Sequence, residues 1–357
     1  MCIFAAMKHL VIRNLGPLEE ADVELKQINV IIGSQSSGKS CVLKTACYCT
    51  WVEKRIEQTQ TADFFEKDGN FLKELERFHK LKGYIKADTF ISYESDYMSF
   101  SYENSTKAFS FNWKDGRWNY CRSKVTYIPA ERNLVAAIPN WFQVKFNDDN
   151  IRDFMADWEA ARQATTNDLS VLNLGVSYHY DANSKSDKVQ VGDGVTLDFT
   201  NTSSGLQSLI PLFVHLYFIT KVNSGKTASF ASLQELKVLT SKLDEEGKMD
   251  LYDNYVNIHH CDIFLEEPEA NLFPPTQTNL VEWLLEMTKG EQPNNLFIAT
   301  HSPYILESFL EKPDIDVQLL YTRKDGDKML IKTATEQDIQ DIYDYGVDAF
   351  FNIESLG

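Results

Sequence analysis

One stretch, Ile28 to Ser40, "INVIIGSQSSGKS", constrains this chain more than any other. "INVII" reads as a strand buried on both faces. Gly33 to Ser40 then match G-x-x-x-x-G-K-S, and "SCVLKTACYCTWVEKRIEQ" continues with helical spacing at Val42, Leu43, Ala46 and Thr50. A strand, a glycine-rich turn and a helix N-terminus in that order aim successive backbone N–H groups and a positive dipole end at one point, a ready site for phosphate. Gly33, Ser34, Gln35, Ser36, Ser37, Gly38, Lys39, Ser40 and Cys41 are therefore the candidate nucleotide-binding residues. Lys39 is expected to reach the β- and γ-phosphates of ATP, and the Ser40 hydroxyl to ligate Mg²⁺.

Three further segments supply what such a loop lacks. "CDIFLEEPEANLFP", residues 261 to 274, is an apolar run that stops at two adjacent carboxylates. A nucleotide-bound cation needs one carboxylate at a strand end and an attacking water needs a second, so Glu266 is assigned the metal and Glu267 the water. Their mutual repulsion implies that one of them holds a proton without the cation. "NLFIATHSPYIL" is another apolar strand, ending at Thr300 and His301, where a His can contact the γ-phosphate. "FTNTSSGLQSL" places Ser203, Ser204 and Gly205 at the start of an apolar helix, which reads as an anion site or as a plain Ser cap.

The rest of the chain sets boundaries on function. Its 357 residues suffice for one large or two ordinary domains, and 22 Phe and 16 Tyr argue for an ordered core. The formal charge of −17 disfavours general attraction to nucleic acid, although a local basic groove remains open. No apolar run approaches a membrane span, and the N-terminus makes a poor signal peptide, so a cytoplasmic protein with no membrane partner is expected. Six cysteines without zinc-like or disulfide-like spacing read as reduced thiols. Residues 62 to 82 and 140 to 170 look helical. The aromatic-rich stretch from 84 to 128 alternates as an antiparallel sheet with an aromatic core face, and Asp115-Gly116 reads as its hairpin turn. Residues 171 to 200 read as paired strands, the helix around Pro211 is expected to bend, and a Lys/Glu-rich helical insertion occupies 222 to 259.

The order strand–"GSQSSGKS"–helix, "TSSGLQ", "FLEEPEANLFP", "ATHS" resembles an ATP-binding-cassette ATPase head, nearest to the SMC, RecF and OLD branch. The resemblance spans nearly the whole chain. It implies an α/β P-loop fold with two lobes: 1–134 carrying the P-loop and an antiparallel β region, a helical segment 135–170, and 171–357 carrying the signature, the acidic strand end and the switch His. It also implies that Arg13 and Asn14 of "VIRNLGPL" lie near the nucleotide. Ser203, Ser204, Gly205 and Gln207 of one subunit would meet ATP held by a second, giving a homodimer or higher homo-oligomer. Two departures stand out. Leu206 replaces the usual polar signature residue, and "YIPAERN" occupies the place of the magnesium-sensing glutamine, with Glu131 or Arg132 as its substitute.

Nothing after His301 looks like a TOPRIM nuclease. The chain is instead similar to the stand-alone ATPase subunits of bacterial phage-defence systems of the Septu and PARIS types. The expectation is an ATPase in which Lys39, Glu267 and His301 are catalytic and which controls a separate effector, a nuclease or toxin. The alternative is a RecF-like repair ATPase acting on DNA through a patch such as Lys73, Arg77, Lys80, Lys82 and Lys86.

Overall fold

The computed structural model describes residues 8–192, 194–222, 233–290, 293–312 and 315–345. The first seven strands are β1 (Lys8–Leu15), β2 (Leu18–Leu25), β3 (Ile28–Ile32), β4 (Ile85–Glu94), β5 (Met98–Glu103), β6 (Ala108–Trp113) and β7 (Ser123–Ile128). Four short strands follow: β8 (Leu169–Ser170), β9 (Val176–Asp181), β10 (Ser186–Val191) and β11 (Val195–Asp198). The last four are β12 (His260–Glu266), β13 (Asn295–Ala299), β14 (Val317–Asp325) and β15 (Lys328–Thr333).

Eleven of these form one sheet in the order β6-β5-β4-β1-β2-β15-β14-β3-β13-β12-β7, and β11-β10-β9-β8 form a second. From β14 through β3, β13 and β12 to β7 every pairing is parallel, whereas β1, β2, β4, β5 and β6 pair antiparallel. This is the α/β architecture that the sequence implies. Strands from the first and last thirds of the chain interleave in it: β15, from residues 328–333, lies beside β2.

Alternation along the parallel strands divides the core between the two faces of the sheet. Ile28, Val30 and Ile32 of β3, Ile263 and Leu265 of β12 and Leu296 and Ile298 of β13 meet the helices Asn150–Ala164, Ser204–Tyr217, Pro274–Glu286 and Pro303–Leu310. Ile31, Phe264, Phe297 and Ala299 point the other way, towards the helix Lys39–Thr59. Phe264 and Phe297 stack across β12 and β13 with ring centroids 4.4 Å apart, a pair worth about 1 kcal/mol beyond its burial. β3 does contain one polar residue. Asn29 is fully buried, accepting from the Lys26 amide and donating to the Lys26 carbonyl, so it closes the turn into the strand.

The aromatic face of the antiparallel region is core, as expected: Tyr93, Phe100 and Tyr102 are buried, Phe100 and Tyr102 pack on Phe71 of the helix Asn70–Phe78, and Tyr93 stacks on Phe100. Its hairpin is not at Asp115-Gly116. The β5–β6 turn uses residues 104–107, where Lys107 takes a φ of 58°. Asp115–Asn119 instead forms a 3-10 turn, and a Cβ on Gly116 would lie 2.4 Å from the Asp96 carbonyl. A close backbone approach, invisible in a sequence, is what uses that glycine. The region 62–82 breaks into Asp63–Glu66 and Asn70–Phe78 at Gly69, and in 140–170 only Asn150–Ala164 is a long helix.

The expected insertion appears as the helices Leu233–Glu245 and Tyr252–Val256, and its residues 223–232 lie outside the described ones. Pro211 sits inside Ser204–Tyr217, which continues as a π-type turn through Val222. Among the described residues, Ser204–Val222 alone is long and apolar enough to cross a membrane, yet Leu209, Ile210, Leu212, Val214 and Leu216 are buried in the core. Cys41, Cys47, Cys49 and Cys261 are buried free thiols, as expected. Cys121, also buried, is not among these free thiols.

Candidate active site

At the end of β3 the chain turns through Gly33, with a φ of 149°, where a Cβ would sit 1.8 Å from the Thr322 hydroxyl on β14. Gly38 has a φ of 98° and a Cβ there would meet Leu18 at 2.5 Å. Both glycines are thus demanded by conformation and by close packing. Ser37 Oγ donates to the Ser34 carbonyl at 2.7 Å and closes the loop on itself. The buried Lys39 ammonium donates to the carbonyls of Gly33 at 2.9 Å and Ser34 at 2.7 Å, so it lies over the loop's concave face. Burial lowers its pKa to about 8, against the opposing pull of Glu267 and Glu269.

β12 delivers the buried Glu266, whose carboxylate lies 3.8 Å from the Lys44 ammonium on the P-loop helix. Glu267 follows with a φ of 44°, a left-handed conformation that a non-glycine residue holds only when its surroundings enforce it. Two constraints do so. Its amide donates to the Ala299 carbonyl at 2.8 Å, and the Arg132 guanidinium donates to the carbonyls of Glu266, Glu267 and Pro268 at 3.0, 2.8 and 3.2 Å. Arg132 is fully buried, and burial lowers its pKa to about 10 despite the nearby Glu269, Glu267 and Glu266. The Glu267 carboxyl is raised above the usual carboxylate range, by burial first and then by repulsion from Glu269 and Glu266.

β13 lies between β3 and β12, so the strand next to the P-loop strand leads to His301 and the acidic strand comes one place further out. His301 Nε2 is 3.8 Å from Glu267 Oε1. Burial and Lys39 lower the pKa of this half-buried imidazole, which keeps it neutral at pH 7. Glu269 fixes the loop: it accepts from the Thr300 hydroxyl at 2.8 Å and from the His301 amide at 2.7 Å.

Gln35 to Cys41, Lys44, Glu267 and His301 line one cleft of ≈ 300 Å³ together with Pro17, Lys80, Leu81 and Tyr84, whereas Gly33, Ser34 and Glu266 are not part of its lining. A wider cleft of ≈ 550 Å³, bordered by Phe213, Trp283 and Lys312, gathers none of the residues that the sequence singles out. Were ATP and Mg²⁺ bound there, the loop amides and Lys39 would hold the phosphates, and Ser40 and Glu266 would be the groups for the metal.

Not every expected residue joins them. Arg13 pairs with Glu20 at 3.0 Å, Asn14 donates to Asp88 at 2.8 Å, and neither lines the cleft. Pro17, from the same "NLGPL" turn, does. The signature residues also stand apart. Ser203 caps its helix by accepting from the Leu206 amide, and Gln207 donates to the carbonyls of Thr200 and Thr202. A Cβ on Gly205 would lie 3.0 Å from the Asn271 carbonyl, so the signature packs on the loop after Glu267 and leaves the cleft unlined by Ser203, Ser204, Gly205 or Gln207. Of the two substitutes named for the sensing glutamine, Glu131 is exposed and Arg132 is the one beneath the acidic loop.

Lys44, Glu269 and Tyr84 were not singled out from the sequence. Glu269 had a signal in the third carboxylate of "EEPE"; Tyr84 had none.

No protein-family model and no curated protein matches this chain. Among solved structures it is similar to the SMC head domain from Thermotoga maritima, at 10% identity and a TM-score of 0.47, covering 93% of this chain and 100% of that one. An Smc head bound to the C-terminal winged-helix domain of ScpA gives 10% and 0.47, over 95% and 100% of the two chains. An Smc head with an extended coiled coil, bound to the C-terminal domain of ScpA derived from Pyrococcus furiosus, gives 8% and 0.45, over 95% and 98%. The strand order and loop geometry described above make this an α/β fold with a glycine-bearing loop between β3 and the helix Lys39–Thr59.

Proposed function

We propose that this chain binds and hydrolyses ATP with Mg²⁺, and that two copies close around the nucleotide. One observation carries the reading. The cleft collects Lys39, Ser40, Glu267 and His301, with Glu266 beside Lys44, while the signature helix start lies on another part of the surface of the same molecule. Backbone amides of the loop and the Lys39 ammonium would hold the phosphate oxygens. Magnesium would draw charge from the β- and γ-phosphates. Glu267, held in a strained backbone conformation and with a raised pKa, would take the proton of an attacking water. His301, beside Glu267, would hydrogen-bond the γ-phosphate. Ser203, Ser204 and Gly205 would present their hydroxyls and amides to the nucleotide of a partner copy.

The downstream role follows from the motif resemblance: control of a separate nuclease or toxin in anti-phage defence. The RecF-like alternative loses support from the described surface, because Arg77 of its basic patch is already paired with Glu74 and Asp148.

The decisive experiment measures ATP turnover and molecular mass, with and without ATP, for the wild-type chain and Glu267→Gln. The expected result is turnover by wild type and an ATP-dependent dimer that accumulates in the variant. Wild-type turnover in Glu267→Gln would remove that residue's assigned role, and a monomer at every ATP concentration would remove the closure.

A further inference from the structure

A second cavity, of ≈ 270 Å³, opens along the P-loop helix. Its walls come from Cys47, Tyr48, Trp51 and Lys54 of that helix, from the end of Asn70–Phe78 with His79, from Lys124 and Tyr127 on β7, and from the entry to Asn150–Ala164. Trp51, Tyr48, His79 and Phe78 form a continuous aromatic arc. Tyr48 stacks on Trp51 at 5.7 Å, and His79 meets Tyr48, Phe78 and Tyr127 edge-on at 6.3, 5.0 and 5.2 Å.

Two polar groups in this cavity lack the partners their setting calls for. His79 is 1% exposed, yet its Nδ1 has no hydrogen-bond partner. A buried imidazole nitrogen left unpaired costs about 1–3 kcal/mol. Lys54 has no ion-pair partner among the described residues, whereas its neighbour Lys124 is neutralised by Asp157 at 2.8 Å. Burial and the nearby Lys124 and Arg122 bring the Lys54 pKa down to about 7, so near neutral pH it carries only part of a full charge.

We propose that this cavity binds a free nucleobase or nucleoside, with Lys54 and His79 as hydrogen-bonding partners and Trp51, Tyr48 and Phe78 as aromatic walls. Three observations select that class. Aromatic walls with a few convergent polar groups suit a planar heteroaromatic ring. The volume is at the small end for a ligand site, too small for a folded peptide. The lining carries Glu74, Asp148 and Asp153, and its Arg77 is paired with the first two and its Lys124 with Asp157, so it offers no free cationic cluster for a phosphodiester strand. The cavity also abuts the candidate active site, since Tyr127 lines it and its phenol lies beside Glu266.

The test is calorimetric titration of the full chain with adenosine, guanosine, cytidine and uridine, which carry no phosphate for the P-loop. At least one is expected to bind with a Kd below about 1 mM. That binding should survive Lys39→Ala and weaken at least about tenfold in Lys54→Met and in His79→Leu. Lys54→Met, at a half-buried position, serves if His79→Leu fails to fold. No binding by any of the four would overturn the proposal. So would binding that Lys39→Ala abolishes while Lys54→Met leaves it intact, because the ligand would then belong to the P-loop cleft. Displacement of the nucleoside by a single-stranded oligonucleotide at equal base concentration would overturn the choice of a free ligand.

Discussion

Glu269 holds the backbone of His301: one carboxylate oxygen accepts the His301 amide at 2.7 Å while the other accepts the Thr300 hydroxyl at 2.8 Å. The loop at the end of β13 is thereby tied to the loop at the end of β12, with Glu267 between them. The residue that builds this link is not one that contacts a ligand. It converts two neighbouring strand ends into a single rigid edge of the cleft.

Replacing Glu269 by Ala should therefore loosen His301 without touching the P-loop. Two hydrogen bonds to an ionised carboxylate are lost, each worth about 1.5–3 kcal/mol. Thermal or denaturant unfolding should show a clear loss of stability, and ATP turnover should fall while ATP binding is largely kept. An unchanged melting temperature would contradict the clamp.

Lys39→Ala should weaken ATP binding by about tenfold or more, since a charge-assisted contact with phosphate is lost. The fold should stay intact, because Lys39 bonds only to carbonyls of its own loop. Titration with a fluorescent ATP analogue, alongside circular dichroism, separates the two outcomes. Glu267→Gln should do the reverse: binding kept, and turnover lowered by about two to four orders of magnitude, the usual contribution of a general base.

The acid side of the pH–rate profile should lie above the ordinary carboxylate pKa of 4.5, because Glu267 must lose its proton to act and burial, Glu269 and Glu266 raise its value. The rate therefore rises with pH through that shifted value. Glu269→Gln removes the larger of the two repelling charges, so the acid limb of the remaining activity should move to lower pH. A limb that stays put would mean that another group sets it.

Gly33→Ala should destabilise the loop by more than the roughly 1 kcal/mol typical of an alanine forced to positive φ, since its methyl also meets Thr322 at 1.8 Å. Adding Thr322→Ala should recover part of the loss and leave the φ penalty. Denaturant titrations of the two single variants and the double variant measure the coupling. Full additivity would rule out the contact.

Lys8 and Asp262 form a buried pair at 3.2 Å. Burial alone would raise the Asp262 pKa, but Lys8 and then His260 hold it well below the usual carboxylate range. A depressed carboxylate contributes stability that is present above its unfolded pKa of about 3.9 and is lost as pH falls below it. Asp262→Asn strands the Lys8 ammonium in the core and should cost about 3–5 kcal/mol at neutral pH, read by denaturant unfolding. A much smaller loss would mean that water reaches Lys8.

Much of the site was legible in the chain because its elements are local. "INVIIGSQSSGKS" sets a strand, a loop and a helix within thirteen residues. The acidic and His-bearing strand ends are likewise apolar runs closed by polar residues. Hydrophobic periodicity and turn chemistry are properties of neighbouring residues, so a sequence displays them directly. By itself it determined the P-loop motif, the carboxylate pair and the apolar runs that lead to them.

Tertiary structure decided which residues meet across long separations. Arg132 reaches the carbonyls of Glu267 and Pro268, Glu269 reaches His301, and Tyr84 arrives at the cleft while Arg13 turns away to Glu20. Gly116 serves a close backbone approach and not a hairpin. Nothing in the local pattern marks these contacts, because each depends on the order β3-β13-β12 and on the register of strands that are distant in the chain. Short-range preferences fix the pieces. The burial of both faces of one sheet fixes where each carboxylate and each guanidinium must go.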